Sequence, residues 1–218
     1  MNTKPMTINT RPVALDLCQG KRGWTNGLIA AGWYVIGFDI EDWGPAPEHS
    51  ETIIRDVREV DGKRYNASLV VASPPCQEFS YRSFPFKRCR ELAATVPPDT
   101  SIWEACVRIA KECNAPLVLE NVRGAQKYMG KAAAHYGSYY LWGDVPAMLP
   151  IGGGIKGFKH NYEGITKCSN RFEDYPHSAM GSKTVKRKEW SANAAMIPYE
   201  LALWVGACFY PRTSALAG

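Results

Sequence analysis

Short apolar stretches recur along the first two thirds of the chain, each bounded by glycine, proline or charged residues. VALDL, residues 13–17, ends in a glycine-bearing turn, and residues 24–31 read as the helix into which that turn opens. WYVIGFDI, residues 33–40, supplies a second strand, and a third precedes IIRDVREV. ASLVVAS and APLVLENV are apolar on both sides, as parallel strands buried between helices should be. Between these two, Ile102, Cys106, Ile109 and Cys113 mark one face of an amphipathic helix that begins after a cap at residues 99–101. YYLWGDVP reads as a further strand, residues 151–164 as a glycine-rich loop, and residues 198–208 as a closing helix. Strands alternating with helices predict an α/β fold: a doubly wound, mostly parallel, Rossmann-like sheet with helices on both faces.

A chain of 218 residues, 45% of them hydrophobic, is long enough for one sizeable core and short for two ordinary domains, so a single domain over 1–218 is expected. None of the apolar runs approaches the ~20 residues of a membrane span, and MNTKPMTINT lacks the apolar stretch of a signal peptide. A soluble cytoplasmic protein with no membrane partner is expected. Seven cysteines without a C-x-x-C pair fit reduced thiols and no metal site. The net charge of +5 is modest, but cations gather at 82–90 (Arg82, Lys87, Arg88, Arg90) and at 183–188 (Lys183, Lys186, Arg187, Lys188). Such clusters suit phosphate contacts or a solvated face.

Several strand ends carry candidate chemistry. In the first turn, DLCQGKRGWTNG, Gly20, Gly23 and Gly27 let the backbone turn tightly and approach a ligand. The spacing is not that of a dinucleotide fingerprint. Asp39, however, lies 19 residues after Gly20 at the end of the second strand, where a carboxylate accepts from ribose hydroxyls. Asp56 is placed to accept from an adenine amino group. Together these strand ends point to an adenosine-type ligand. In SPPCQEFS, the prolines at 74 and 75 fix φ and remove two backbone donors, so Cys76 leaves the strand in a defined direction. Glu120, in LENVRG, falls at the end of the neighbouring strand, where a carboxyl can protonate or hydrogen-bond a ring nitrogen.

SPPCQEFS, LENV, the DL-x-x-G-x-x-G turn, GFDI and MIPYELALWVG follow the order and spacing of the DNA cytosine-5 methyltransferases. The chain resembles the short phage and prophage members of that family over most of residues 12–146, and again near 177–208. The resemblance implies S-adenosylmethionine as cofactor, with S-adenosylhomocysteine as product and no metal. It implies DNA as partner, a flipped cytosine, and a monomeric enzyme. Cys76 would be the nucleophile toward C6, Glu120 the group at N3, and Asn121 a brace on the catalytic loop beside Pro75 and Gln77. Asp16, Leu17, Cys18, Gln19, Gly20, Gly23 and Trp24 would line the methionine end of the cofactor. Asp39 would hold the ribose, with Ile40, Asp56 and Val57 around the adenine, and Ser73, Pro74, Asn193 and Ala194 would complete the pocket. Residues 79–90 read as a flexible basic loop closing over DNA.

The chain also departs from the family pattern. Cys18-Gln19 stand where most members have phenylalanine-cysteine, and Arg22 where they have glycine. No arginine pair follows ENV in HYGSYYLWGDVP, so Arg82 or Arg123 is the substitute for holding the base. Residues 151–190 are too few for the large target-recognition domain, and residues 191–210 would return to the cofactor pocket. Two alternatives stay open: the same chemistry on free deoxycytidylate or RNA cytosine, and a relative that binds cofactor or DNA without catalysis.

Overall fold

The computed structural model describes residues 10–82, 87–147, 193 and 195–211. The insert at 151–190, the basic run 183–188, and Ala194 lie outside these residues. The strands are β1 (Val13–Leu17), β2 (Tyr34–Asp39), β3 (Ser50–Ile54), β4 (Ala67–Ala72), β5 (Leu117–Asn121), β6 (Ala134–Tyr136) and β7 (Tyr139–Gly143). They form one sheet in the order β3-β2-β1-β4-β5-β7-β6. The first five are mutually parallel, whereas β7 runs antiparallel to β5 and pairs with β6 as a hairpin. From β1 the chain winds outward to β2 and β3, then returns to β4 on the other side. That reversal is a topological switch point, and the crevice beyond the carboxyl ends of β1 and β4 is where an α/β sheet receives its ligand. Register brings these ends level: Leu17 lies opposite both Phe38 and Ala72, and Ala72 opposite Leu119.

The apolar runs form strands because both faces of the sheet are covered. On one face, α1 (Gly23–Ala30) and α5 (Tyr199–Phe209) bury Trp24, Leu28, Leu201, Ala202 and Val205 against Ala14, Val35, Leu69 and Val71. These two helices touch at glycines: a Cβ at Gly27 would overlap Ala202, and one at Gly206 would press on Ala31 and Leu28. The indole of Trp33 donates to the Gly206 carbonyl at 2.9 Å, which locks the crossing.

On the other face lies α4 (Ser101–Cys113). Cys106 and Ile109 are fully buried, Ile102 and Cys113 partly so, and Trp103, Ala105 and Ala110 widen the predicted stripe. Asp99 accepts from the Ser101 amide at 2.9 Å, within the predicted cap region, and left-handed Asn114 ends the helix.

Two features differ from the sequence reading. β6 is only three residues long and carries too little pattern to show on its own. Residues 79–90, read as a flexible loop, contain much of two helices, α2 (Gln77–Arg82) and α3 (Lys87–Thr95). The cause is tertiary: Phe79 is buried against Trp103 and Tyr128, with ring centroids 6.1 Å apart in each pair, and Cys89 is buried as well. No helix among the described residues is long and apolar enough to cross a membrane.

Candidate active site

The turn after β1 is held from inside. Asp16 is fully buried, and its Oδ2 accepts from the Thr25 amide (3.1 Å) and hydroxyl (2.6 Å) at the start of α1. Gln19 extends the chain of bonds: its amide donates to Thr25 Oγ1 at 2.8 Å, and its Oε1 accepts from Thr52 of β3 at 2.9 Å. The Gln19 amide occupies the space above Gly37 that a Cβ there would fill, so the network needs glycine on β2. Asp16 Oδ1 has no partner among the described residues, and burial pushes this carboxyl up to about 7, against the lowering bonds from Thr25.

Three residues of the turn, Cys18, Gly20 and Arg22, have left-handed φ values of 59°, 50° and 64°. Gly20 adopts this without penalty, and no atom lies within 4 Å of where its Cβ would be, so the backbone opens onto free space. Its amide donates to Asp39 Oδ2 at 2.7 Å, while Asp39 Oδ1 accepts from Glu41 at 2.9 Å. Each oxygen of Asp39 keeps a lone pair. Ile40, 69% exposed, offers an apolar face beside it. Arg22 sustains its strained backbone by donating to the carbonyls of Trp43 (3.1 Å) and Gly44. Lys21 donates to Asn193 at 2.7 Å and lies 5.7 Å from the Trp43 ring centroid. The segment around Ile197 crosses directly over Gly23, leaving no room for a Cβ.

Other residues named from the sequence have different occupations. Cys18 points toward the core: its hydrogen bond to the Cys106 thiol, together with burial, pushes it well above the ordinary thiol range. Asp56 caps the short 3-10 turn that begins at the buried Val57, and it is engaged by the Arg58 amide at 2.9 Å and by the Arg58 guanidinium. The Arg58 bonds hold its carboxyl below the usual range. An adenine amino group would have to share Asp56 with this arginine. Leu17 is fully buried at the end of β1, and its carbonyl accepts from Ser73 at 3.1 Å.

The second strand end carries the thiol. Trp24 of α1 donates to Ser73 Oγ at 2.9 Å, joining the two turns. Asn121, 1% exposed at the end of β5, donates from Nδ2 to the Pro74 carbonyl at 2.9 Å, and its Oδ1 accepts from Val122 at 2.8 Å. Pro74 is buried, Pro75 and Gln77 are exposed, and Cys76 lies half-buried between them. The Cys76 carbonyl accepts from Phe79 (3.1 Å) and Ser80 (2.8 Å), so α2 is built on the cysteine itself. Glu120 is buried beside Asn121 and lies opposite Leu141 of β7. Its charge and burial both raise the phenol of Tyr139, with burial the larger effect, and the Tyr139 hydroxyl donates to the Met196 carbonyl at 3.1 Å.

A family model for C-5 cytosine-specific DNA methylases matches residues 14–134, the segment that carries both turns. The chain belongs to this family. No curated protein matches the sequence. Among solved structures, it is similar to a prophage-encoded DNA modification methyltransferase of E. coli (20% identity, TM-score 0.41, 55% of this chain, 35% of that one). It is also similar to a DNMT2 mutant of Spodoptera frugiperda (18%, 0.37, 53% and 37%) and to the Dnmt2 methyltransferase of S. pombe (18%, 0.33, 54% and 36%). The chain therefore spans about a third of the length of each.

The two arginines considered as base-holding substitutes sit differently. Arg123 is exposed in the 3-10 turn after β5. Arg82 is turned inward, its side chain 6% exposed and ion-paired with Glu78 at 2.6 Å. Sequence reasoning passed over three residues of the site: Thr25, which satisfies Asp16; Gly37, which admits Gln19; and Tyr139, which stands between Glu120 and the C-terminal segment. A hydroxyl two places after Gly23, at the N-terminus of a predicted helix, was the available signal for Thr25.

Proposed function

We propose that this protein transfers a methyl group from S-adenosylmethionine to C5 of cytosine in DNA, through a covalent bond between Cys76 and C6. The observation that carries the reading is the bond from Asn121 to the Pro74 carbonyl, which joins the thiol-bearing segment to the strand end bearing Glu120, at the switch point of a cytosine methylase sheet.

The residues present fit the cofactor. The unpartnered, buried Oδ1 of Asp16 suits its ammonium group, the open backbone at Gly20 admits close approach, and Asp39 with the exposed Ile40 suits a ribose and an adenine face. Lys21 and Asn193 stand at the mouth of the same turn. When bound, S-adenosylmethionine supplies an electrophilic methyl group on a sulfonium.

The chain's own residues do the rest. The Cys76 thiolate adds to C6 of the pyrimidine, and electron density moves to C5, which is too weak a nucleophile without it. Glu120, buried at the end of β5, would hold a proton at N3 and stabilise the charge that addition creates. Once C5 has taken the methyl group, with S-adenosylhomocysteine as leaving group, loss of its proton to solvent returns the electron pair to the ring and expels the Cys76 thiolate. Because C6 is inaccessible in a stacked duplex, the base is extruded.

The test uses methyl-labelled S-adenosylmethionine with duplex DNA, RNA or deoxycytidylate in parallel, followed by digestion to nucleosides. Label in 5-methyldeoxycytidine from DNA is expected. Label only from RNA or the mononucleotide would move the substrate, and no label from any of them would overturn catalysis.

A further inference from the structure

Cys76 is braced from behind by Asn121, but its direction on the far side depends on α2, six residues long and too short to be stable alone. The last residue of that helix provides the anchor. Arg82 Nη1 donates to both the backbone carbonyl and the carboxylate of Glu78, each at 2.6 Å. Its Nε reaches the Val96 carbonyl at 3.3 Å and its Nη2 the Pro97 carbonyl at 3.2 Å. Glu78 Oε2 in turn accepts from the Asp99 amide at 3.3 Å. One guanidinium fork thus ties the first and last turns of α2 to the chain entering α4, whose Trp103 packs on Phe79. Only arginine presents donors in that many directions from a single planar group.

We infer that Arg82 is a positioning residue: with Glu78 it clamps α2 to the segment before α4 and so fixes the direction of Cys76. This rests on the reading of Cys76 as the nucleophile, and it replaces the role of base holder that the missing arginine pair suggested for Arg82. A base-holding arginine would be worth more when released from Glu78. A clamp is worth less.

Glu78→Gln, Arg82→Lys and the double variant separate these. Two quantities are measured: amide hydrogen exchange at Phe79 and Ser80 in the free protein, and the rate of covalent adduct formation with 5-fluorodeoxycytidine DNA at saturating DNA and S-adenosylmethionine. Each single substitution is expected to speed exchange and to slow the adduct about tenfold, with DNA affinity unchanged within about twofold. The double variant should be no slower than either single one, as for two parts of one device. Unchanged exchange in Glu78→Gln would overturn the clamp. So would a slow adduct in Arg82→Lys alongside a wild-type rate in Glu78→Gln, since the guanidinium would then act on the base directly. Should Arg82→Lys fail to fold, judged by its melting curve, Glu78→Gln decides alone. A wild-type protein that forms no adduct would refute the cytosine reading itself, and the exchange data would still decide the clamp.

Discussion

The two turns of the site are fixed in opposite ways. The turn after β1 is secured from within, by a buried relay from Thr52 through Gln19 and Thr25 to Asp16. The turn after β4 is secured at its margins, by Asn121 on one side and the Arg82–Glu78 pair on the other. A buried relay holds one geometry, because any slip strands a desolvated polar group. Marginal handles leave the segment between them able to respond. The half proposed to hold the cofactor is thus a fixed cradle, and the half proposed to carry the nucleophile is aimed from outside.

The contrast can be broken first at the thiol. Cys76→Ser is expected to cost at least about 10⁴-fold in turnover and to abolish the 5-fluorodeoxycytidine adduct, while S-adenosylhomocysteine binding measured by calorimetry stays intact. An adduct that survives would place the nucleophile on another cysteine. Next is Glu120→Gln, for which a loss of about 10²–10³-fold in turnover is expected, again with cofactor binding retained. Parallel loss of binding would show that the two halves are not separable.

The cradle is probed by pH. Asp16 holds its proton in the folded state up to about 7, well above its ordinary value of 3.8. The folded protein therefore binds more protons than the unfolded chain between those values. The stabilisation is full below about 4 and is lost as pH rises through about 7. Asp16→Asn cannot titrate, so the melting temperature of the wild type should fall relative to the variant between pH 5 and pH 8. Parallel melting curves would mean that Asp16 is charged throughout. The same ionisation should tighten S-adenosylhomocysteine binding as pH rises through 7 in the wild type and leave the variant flat.

The smallest effect concerns Arg22. Arg22→Ala keeps the left-handed backbone and loses the ties to Trp43 and Gly44, whereas Arg22→Gly loses the ties but relieves the backbone. Glycine should be the milder change by about 1 kcal/mol in denaturant unfolding. Equal losses would mean that the backbone strain is not felt.

How much of this was legible beforehand follows from where each interaction is written in the chain. β1, β2, β4 and β5 announce themselves because strands covered on both faces must be apolar throughout. Asp39 was legible from its distance to Gly20, since strand-turn-helix-strand geometry sets that spacing. The contact of Gln19 with Gly37 was not, because it joins residues on different strands and depends on a missing Cβ. Helix α2 was hidden for a related reason: the basic segment around it read as loop, and the contacts that override this, on Phe79, come from Trp103 and Tyr128, far along the chain. Arg82 shows the same limit. Its position suggested an arm toward substrate, and only the folded loop reveals that its partners lie within a few residues on one side and fifteen on the other.

The close crossing of α1 and α5 also bears on biosynthesis. Gly23 and Gly27 are covered by residues near 197 and 202, which are among the last described residues to leave the ribosome. Until then Trp24, Leu28 and Trp33 lack their lid, and the nascent chain presents an uncovered apolar face. The first turn to be synthesised is thus closed only after residues 197–202 have been made.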